Sequence, residues 1–165
     1  MDHRVVQVFY GPGKGKTSAA IGQAIRAASL GQRVTIIQFL KGKDAEEFCY
    51  LEKLEPDIRL FRFEKSEGTY DNLLESQKKE EVKNLINAFN FAKKVIDTGE
   101  CDVLILDEVL GLIDLDILSV EDIISLIELR EDYERLVLTG RMLPERIAEY
   151  ADVISKSDLE KDLLA

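Results

Sequence analysis

Between Val5 and Leu30 an apolar run, a glycine-rich loop and an alanine-rich helical stretch follow one another without a break, an order that few folds accept. Val5 to Tyr10 has the pattern of a buried strand. Gly11-Pro12-Gly13-Lys14-Gly15-Lys16-Thr17 is the loop, and Thr17 to Leu30 is helical, closing at Gly31, a residue suited to a left-handed helix terminus. A strand that turns through glycines directly into a helix opens a βα unit, and repeated units of that kind build a parallel sheet covered by helices.

The rest of the chain keeps the alternation. Val34 to Leu40 is a nearly unbroken apolar strand, as expected where both faces of a sheet are buried. A short helix is predicted over Glu46 to Leu54, stopped by Pro56, and a strand over Ile58 to Phe63. Glu64 to Asn72 is polar, contains Gly68 and reads as a loop. A long helix follows from Leu73 to Thr98, with Val82, Leu85, Ile86, Phe89, Val95 and Ile96 as its buried stripe and Gly99 as its end. Val103 to Leu106 is a strand terminating at Asp107-Glu108. Ser119 and Asp122 have capping-box spacing and start a helix with Val120, Ile123, Ile124 and Ile127 on one face. Leu136 to Leu138 is a further strand ending at Thr139-Gly140-Arg141, and a short helix from Pro144 and a strand near Val153 complete the pattern. No repeat, low-complexity tract or linker interrupts it. The expectation is one α/β domain over residues 1–165, a three-layer sandwich with a mostly parallel sheet.

Bulk properties narrow the function. A chain of 165 residues buries roughly 70% of its unfolded surface without a disulfide or metal staple. The net charge is −10, with 32 acidic residues against 22 basic ones, so a nucleic acid would be repelled on average. Cys49 and Cys101 form no CxxC pair and read as free thiols, and the lone His3 reads as a solvated terminal residue. Neither a leader pattern nor an apolar stretch of membrane-spanning length is present, which points to a cytoplasmic protein without a membrane partner.

The loop carries the chemistry. Glycines let backbone N–H groups approach a phosphate closely, and the helix that follows presents the positive end of its dipole. In such a loop Lys16 reaches phosphate oxygens and the Thr17 hydroxyl ligates Mg²⁺. Ser18, next in the first turn, joins these candidates. The spacing G-x-x-x-x-G-K-[ST] would put a glycine where Tyr10 stands, and the loop holds a second lysine, Lys14. Together these mark a P-loop NTPase-like fold whose loop neutralises a triphosphate heavily.

Asp107 and Glu108 end a buried parallel strand, the edge at which open α/β sheets bind ligands. Beside Thr17, one of them would hold Mg²⁺ directly or through water. Gln38 and Lys41 flank the end of the second strand. Arg141 either touches a phosphate or is an exposed loop residue. Arg26, on the helix after the loop, either reaches the nucleotide or forms a surface ion pair.

Taken together, these segments resemble the P-loop type of corrinoid adenosyltransferase. The resemblance spans Val5 to Ser155 and rests on Val8 to Thr17, Ala24-Ile25-Arg26-Ala27-Ala28, Ile37-Gln38-Phe39-Leu40-Lys41-Gly42, Leu104 to Glu108 and Leu138-Thr139-Gly140-Arg141. It implies attack of cobalt(I) of a reduced corrinoid on the 5′ carbon of ATP, with triphosphate as the leaving group. Catalysis is then positioning and charge neutralisation by Lys14, Lys16 and Mg²⁺, with the backbone of Gly11 to Gly15 and no protein base. The resemblance further assigns the metal contacts to Thr17 and Glu108 and a nucleotide contact to Arg26, and it implies a homodimer served by a reductase that supplies cobalt(I). Three features differ from the family pattern. Pro12 replaces a polar loop residue, and Lys156 to Ala165 replaces the usual C-terminal segment. The chain has no tryptophan, so Tyr70 is the aromatic candidate for the corrinoid face. Two other functions use the same loop: a P-loop ATPase or kinase acting at the γ-phosphate, and a non-catalytic ATP-binding relative.

Overall fold

Among the described residues the apolar runs become six strands: β1 (Val5–Tyr10), β2 (Val34–Gln38), β3 (Ile58–Arg62), β4 (Val103–Asp107), β5 (Arg135–Gly140) and β6 (Val153–Lys156). Five helices connect them: α1 (Lys16–Ser29), α2 (Glu75–Thr98), α3 (Gly111–Asp114), α4 (Val120–Glu128) and α5 (Glu145–Ala148). Two 3-10 segments cover Glu46–Leu54 and Tyr70–Asn72. The computed structural model describes residues 4–41, 46–129 and 134–164; His3 and Gly42 lie outside the described residues.

All pairings are parallel, in the order β3-β2-β4-β5-β1-β6. Alternation of side chains along each strand sorts the core into two layers. Val6, Val8, Leu104, Leu106, Leu136 and Leu138 face α2 and α4, meeting Leu85, Phe89, Ile123 and Ile127. On the other face Ile36, Val103, Ile105 and Val137 meet Ala20, Ala24 and Ala27 of α1. The small alanines let α1 lie close to the sheet, which brings its first turn near the strand ends.

Several boundaries shift for physical reasons. The second strand stops at Gln38 because Leu40 turns into the left-handed region (φ 63°). The segment at Glu46–Leu54 is a 3-10 helix, and α3 is a short helix that the apolar pattern does not announce. The buried stripe of α2 is Glu81, Leu85, Ala88, Phe89, Ala92, Val95 and Ile96. Ile86, expected inside, is 39% exposed, and Val82 is only partly buried. Glu81 takes the inward place because its carboxylate accepts the backbone N–H groups of Lys65 and Ser66 and the amide of Asn84, at 3.2, 3.5 and 2.7 Å. The capping box at Ser119 and Asp122 is formed as expected, with Asp122 N–H on Ser119 Oγ at 3.2 Å and Ser119 N–H on Asp122 Oδ2 at 2.8 Å.

Candidate active site at the carboxyl edge of the sheet

The loop Gly11–Gly15 leaves β1 at the carboxyl edge of the sheet. Gly11 (φ 121°) and Gly15 (φ 96°) take backbone angles that a side chain disfavours. Gly11 N–H is shared between the carbonyls of Gly140 and Arg141, at 3.2 and 3.1 Å, so the end of β5 anchors the loop. Gly15 is the N-cap of α1, with no side-chain cap and no acid in the first turn. The helix terminus therefore carries an uncompensated positive end. Lys16 folds back over the loop and donates to the carbonyls of Gly11 and Gly13 at 2.8 and 2.6 Å. Pro12, Lys14, Gly15 and Ser18 are exposed.

The acids stand one strand removed. Asp107, 1% exposed, accepts from Thr17 Oγ1 at 3.1 and 3.0 Å, from Thr139 Oγ1 at 2.8 Å and from Gln38 Nε2 at 3.2 Å. All three donors are neutral, so no cation is paired with it through these bonds. Glu108 is held in the left-handed region (φ 64°), with its N–H on Thr139 Oγ1 at 2.7 Å. Burial, and then the neighbouring Asp107, push the Glu108 carboxyl above its ordinary range; Lys16, Lys41 and Arg141 oppose the shift. Those are the three cations whose charge Glu108 feels. Leu40, also left-handed, crowds the same edge, since a Cβ on Gly111 would meet Leu40 Cδ1 at 2.8 Å.

The structure therefore gathers Gly11, Gly13, Gly15, Lys16, Thr17, Asp107, Glu108, Lys41 and Arg141 along one edge. Gln38 lies beneath it, fully buried, with its amide engaged at both ends. Arg26 is elsewhere: it is exposed in the last turn of α1, ten residues beyond Lys16 and about 15 Å along the axis. Tyr70 is half-buried before α2, with Lys78 Nζ 5.5 Å from its ring centre.

Some contacts had no sequence signal. Past β6 the chain crosses the glycine-rich loop: Ser157 N–H donates to Tyr10 O at 2.8 Å, and Gly13 N–H to Ser157 O at 2.9 Å. A Cβ on Gly11 would meet Ser157 O at 2.3 Å, and one on Gly13 would meet Asp158 at 2.9 Å. The two glycines thus admit this tail as well as loop geometry. Asp162 pairs with Lys14 at 2.5 Å. Arg62, at the end of β3, donates to Gln38 Oε1 at 2.7 Å. Pairs this far apart in the chain leave no local period by which to find them.

Residue types here suit a hard divalent cation: one hydroxyl and two carboxylates, all oxygen. Among the described residues no group of three or more His, Cys, Asp or Glu could hold a metal alone. That is the donor set of Mg²⁺ sites completed by substrate phosphates. Among the described residues no helix is long and apolar enough to cross a membrane.

The chain is 30% identical over 152 residues to the corrinoid adenosyltransferase of Escherichia coli, covering 92% of this chain and 75% of that one. It is 31% identical over 153 residues to corrinoid adenosyltransferase CobA of Salmonella typhimurium, with the same coverage. Among solved structures it is similar to domain III of the Thermotoga maritima replication initiation protein DnaA, at 19% identity and a TM-score of 0.43, covering 94% of this chain and 55% of that one. Residues 2–164 match the family ATP:corrinoid adenosyltransferase BtuR/CobO/CobP, and the chain accordingly belongs to that family and is a transferase.

Proposed function

We propose that this chain transfers the 5′-deoxyadenosyl group of ATP to cobalt(I) of a reduced corrinoid, with the loop Gly11–Thr17 gripping the triphosphate as a leaving group. The cobalt electron pair forms the cobalt–carbon bond, and the C5′–oxygen bond breaks with its electrons passing to triphosphate. The loop N–H groups, the α1 terminus, Lys16 and Lys14 stabilise that departing charge. Mg²⁺, held by Thr17 with Asp107 and Glu108, would supply further neutralisation of the phosphates. Arg141 and Lys41, whose charges act on Glu108, add to that neutralisation. No protein base is required. Tyr70 is the aromatic side chain proposed for the corrinoid face. A homodimer acting in the cytoplasm, with a separate reductase supplying cobalt(I), fits the family resemblance.

The observation that carries this reading is the contact between Thr17 and Asp107, which joins the phosphate loop to the acidic strand end at 3.0 Å. Incubation with ATP, Mg²⁺ and reduced corrinoid should yield an adenosyl–cobalt absorption spectrum and free triphosphate in equal amounts. Release of ADP and phosphate, with no adenosyl–cobalt product, would overturn it.

A further inference from the structure

Arg62, Gln38 and Asp107 are register partners on three neighbouring strands, β3, β2 and β4. Their side chains form one row: Arg62 Nε donates to Gln38 Oε1 at 2.7 Å, and Gln38 Nε2 donates to Asp107 Oδ2 at 3.2 Å. Gln38 and Asp107 are each 1% exposed, so water does not substitute for either bond.

A primary amide has two unlike ends of nearly the same shape, an accepting oxygen and a donating NH₂. A half-turn of the Gln38 amide would place its oxygen against the Asp107 carboxylate, two acceptors with no proton between them. A guanidinium offers only donors and stays protonated. Beside Arg62, Gln38 is restricted to the orientation that presents its NH₂ to Asp107. The intervening amide has a second effect. An arginine in direct contact with Asp107 would cancel the charge that a cation needs, whereas a neutral amide passes on orientation without passing on charge.

We propose that Arg62 is a positioning residue for the metal-facing carboxylate, locking the Gln38 amide so that Asp107 is fixed by a donor while keeping its full negative charge. The inference rests on the metal role proposed for Asp107. It adds a residue outside the phosphate loop that tunes how tightly the cation is held.

Arg62→Met and Arg62→Lys test it. Loss of an outer-shell partner of a metal ligand costs about 10–100-fold in metal affinity, and Arg62 stands one side chain further out. The apparent Mg²⁺ constant of the Arg62→Met enzyme should rise about 3- to 10-fold, with the KM for ATP at saturating Mg²⁺ unchanged. Arg62→Lys, which keeps charge and a donor, should restore most of the loss. Charge alone predicts the opposite sign, since removing a cation near the site would tighten Mg²⁺ binding. In the nucleotide-free protein, the Gln38 side-chain amide, assigned by its loss in Gln38→Leu, should give two well-separated, slowly exchanging proton signals by NMR. They should converge in Arg62→Met. Tighter or unchanged Mg²⁺ binding in Arg62→Met, or an unaltered Gln38 signal, overturns the inference. If Asp107→Asn leaves Mg²⁺ dependence unchanged, the metal role of Asp107 fails and the inference falls with it. If Asp107→Asn weakens Mg²⁺ and Arg62→Met does not, only the inference fails.

Discussion

Asp162→Asn removes the charge that Lys14 holds and leaves the shape of the side chain almost unchanged. In the structure Lys14 is 71% exposed and Asp162 10%, with nitrogen and oxygen 2.5 Å apart. If Lys14 serves the triphosphate, Asp162 and the phosphates compete for one ammonium group, and ATP must break the pair before it can use the lysine. Pairs with an exposed partner are worth about 0.2–1 kcal/mol. Releasing Lys14 in advance should therefore tighten ATP binding by about 1.4- to 5-fold. The gain should shrink as salt screens the pair. Calorimetric titration with ATP and Mg²⁺ at two ionic strengths reads both effects. Asp158→Asn is the control, because that carboxylate pairs with Lys156 at 3.6 Å and not with the loop. An Asp162→Asn protein that binds ATP no better than the parent, or binds it more weakly, refutes the competition and makes the tail a support for the loop.

Other perturbations have defined outcomes. Burial, with Glu81 adding to it, pushes the Glu64 carboxyl up to about 7, against the backbone N–H groups of Leu40 and Lys41 and the charge of Arg62. The folded chain then binds more protons than the unfolded one between about pH 4.5 and 7, so Glu64 lowers stability by about 3 kcal/mol as pH rises through that window. Urea unfolding should show Glu64→Gln gaining on the parent between pH 5 and pH 8, and an equal difference at both pH values would refute the shift. Thr139→Val keeps the side-chain shape but removes the donor to Asp107 and the acceptor for Glu108 N–H. A loss of about 3 kcal/mol is expected by urea unfolding, and less than 1 kcal/mol would mean that neighbours re-pair. Gly140→Ala would place a Cβ 2.4 Å from Leu110 Cβ. Its expected cost of about 1–3 kcal/mol should appear as a lower melting temperature.

Much of the candidate phosphate site was legible because its backbone depends on local chemistry. A tight turn into a helix needs glycine at Gly11 and Gly15, so the loop announces itself in seven letters of sequence. Asp107 and Glu108 follow an apolar run short enough to be only a buried strand. Sheet order was not legible: β5 lies between β1 and β4, and nothing in the strands themselves specifies their neighbours. On α2, Ile86 has the residue type of a buried position, whereas the inward face runs through Glu81 and the alanines. Glu81 reads as a surface residue until Lys65 and Ser66 are seen to donate to it. Arg62 and Asp162 acquire their partners only through the sheet register and the path of the tail, at sequence separations of 24 and 148 residues.

Glu108 gives the fold a reason to lose its own chemistry. A left-handed backbone costs a side-chain-bearing residue about 1–2 kcal/mol, and glycine meets no such cost. The carboxylate adds the penalty of its burial beside Asp107. A laboratory selection for heat tolerance alone would find Glu108→Gly early and keep it, since the variant relieves both strains at once. If the metal role proposed for Glu108 holds, such winners would refold well and transfer nothing. On that reading, the acid at this turn trades endurance for chemistry.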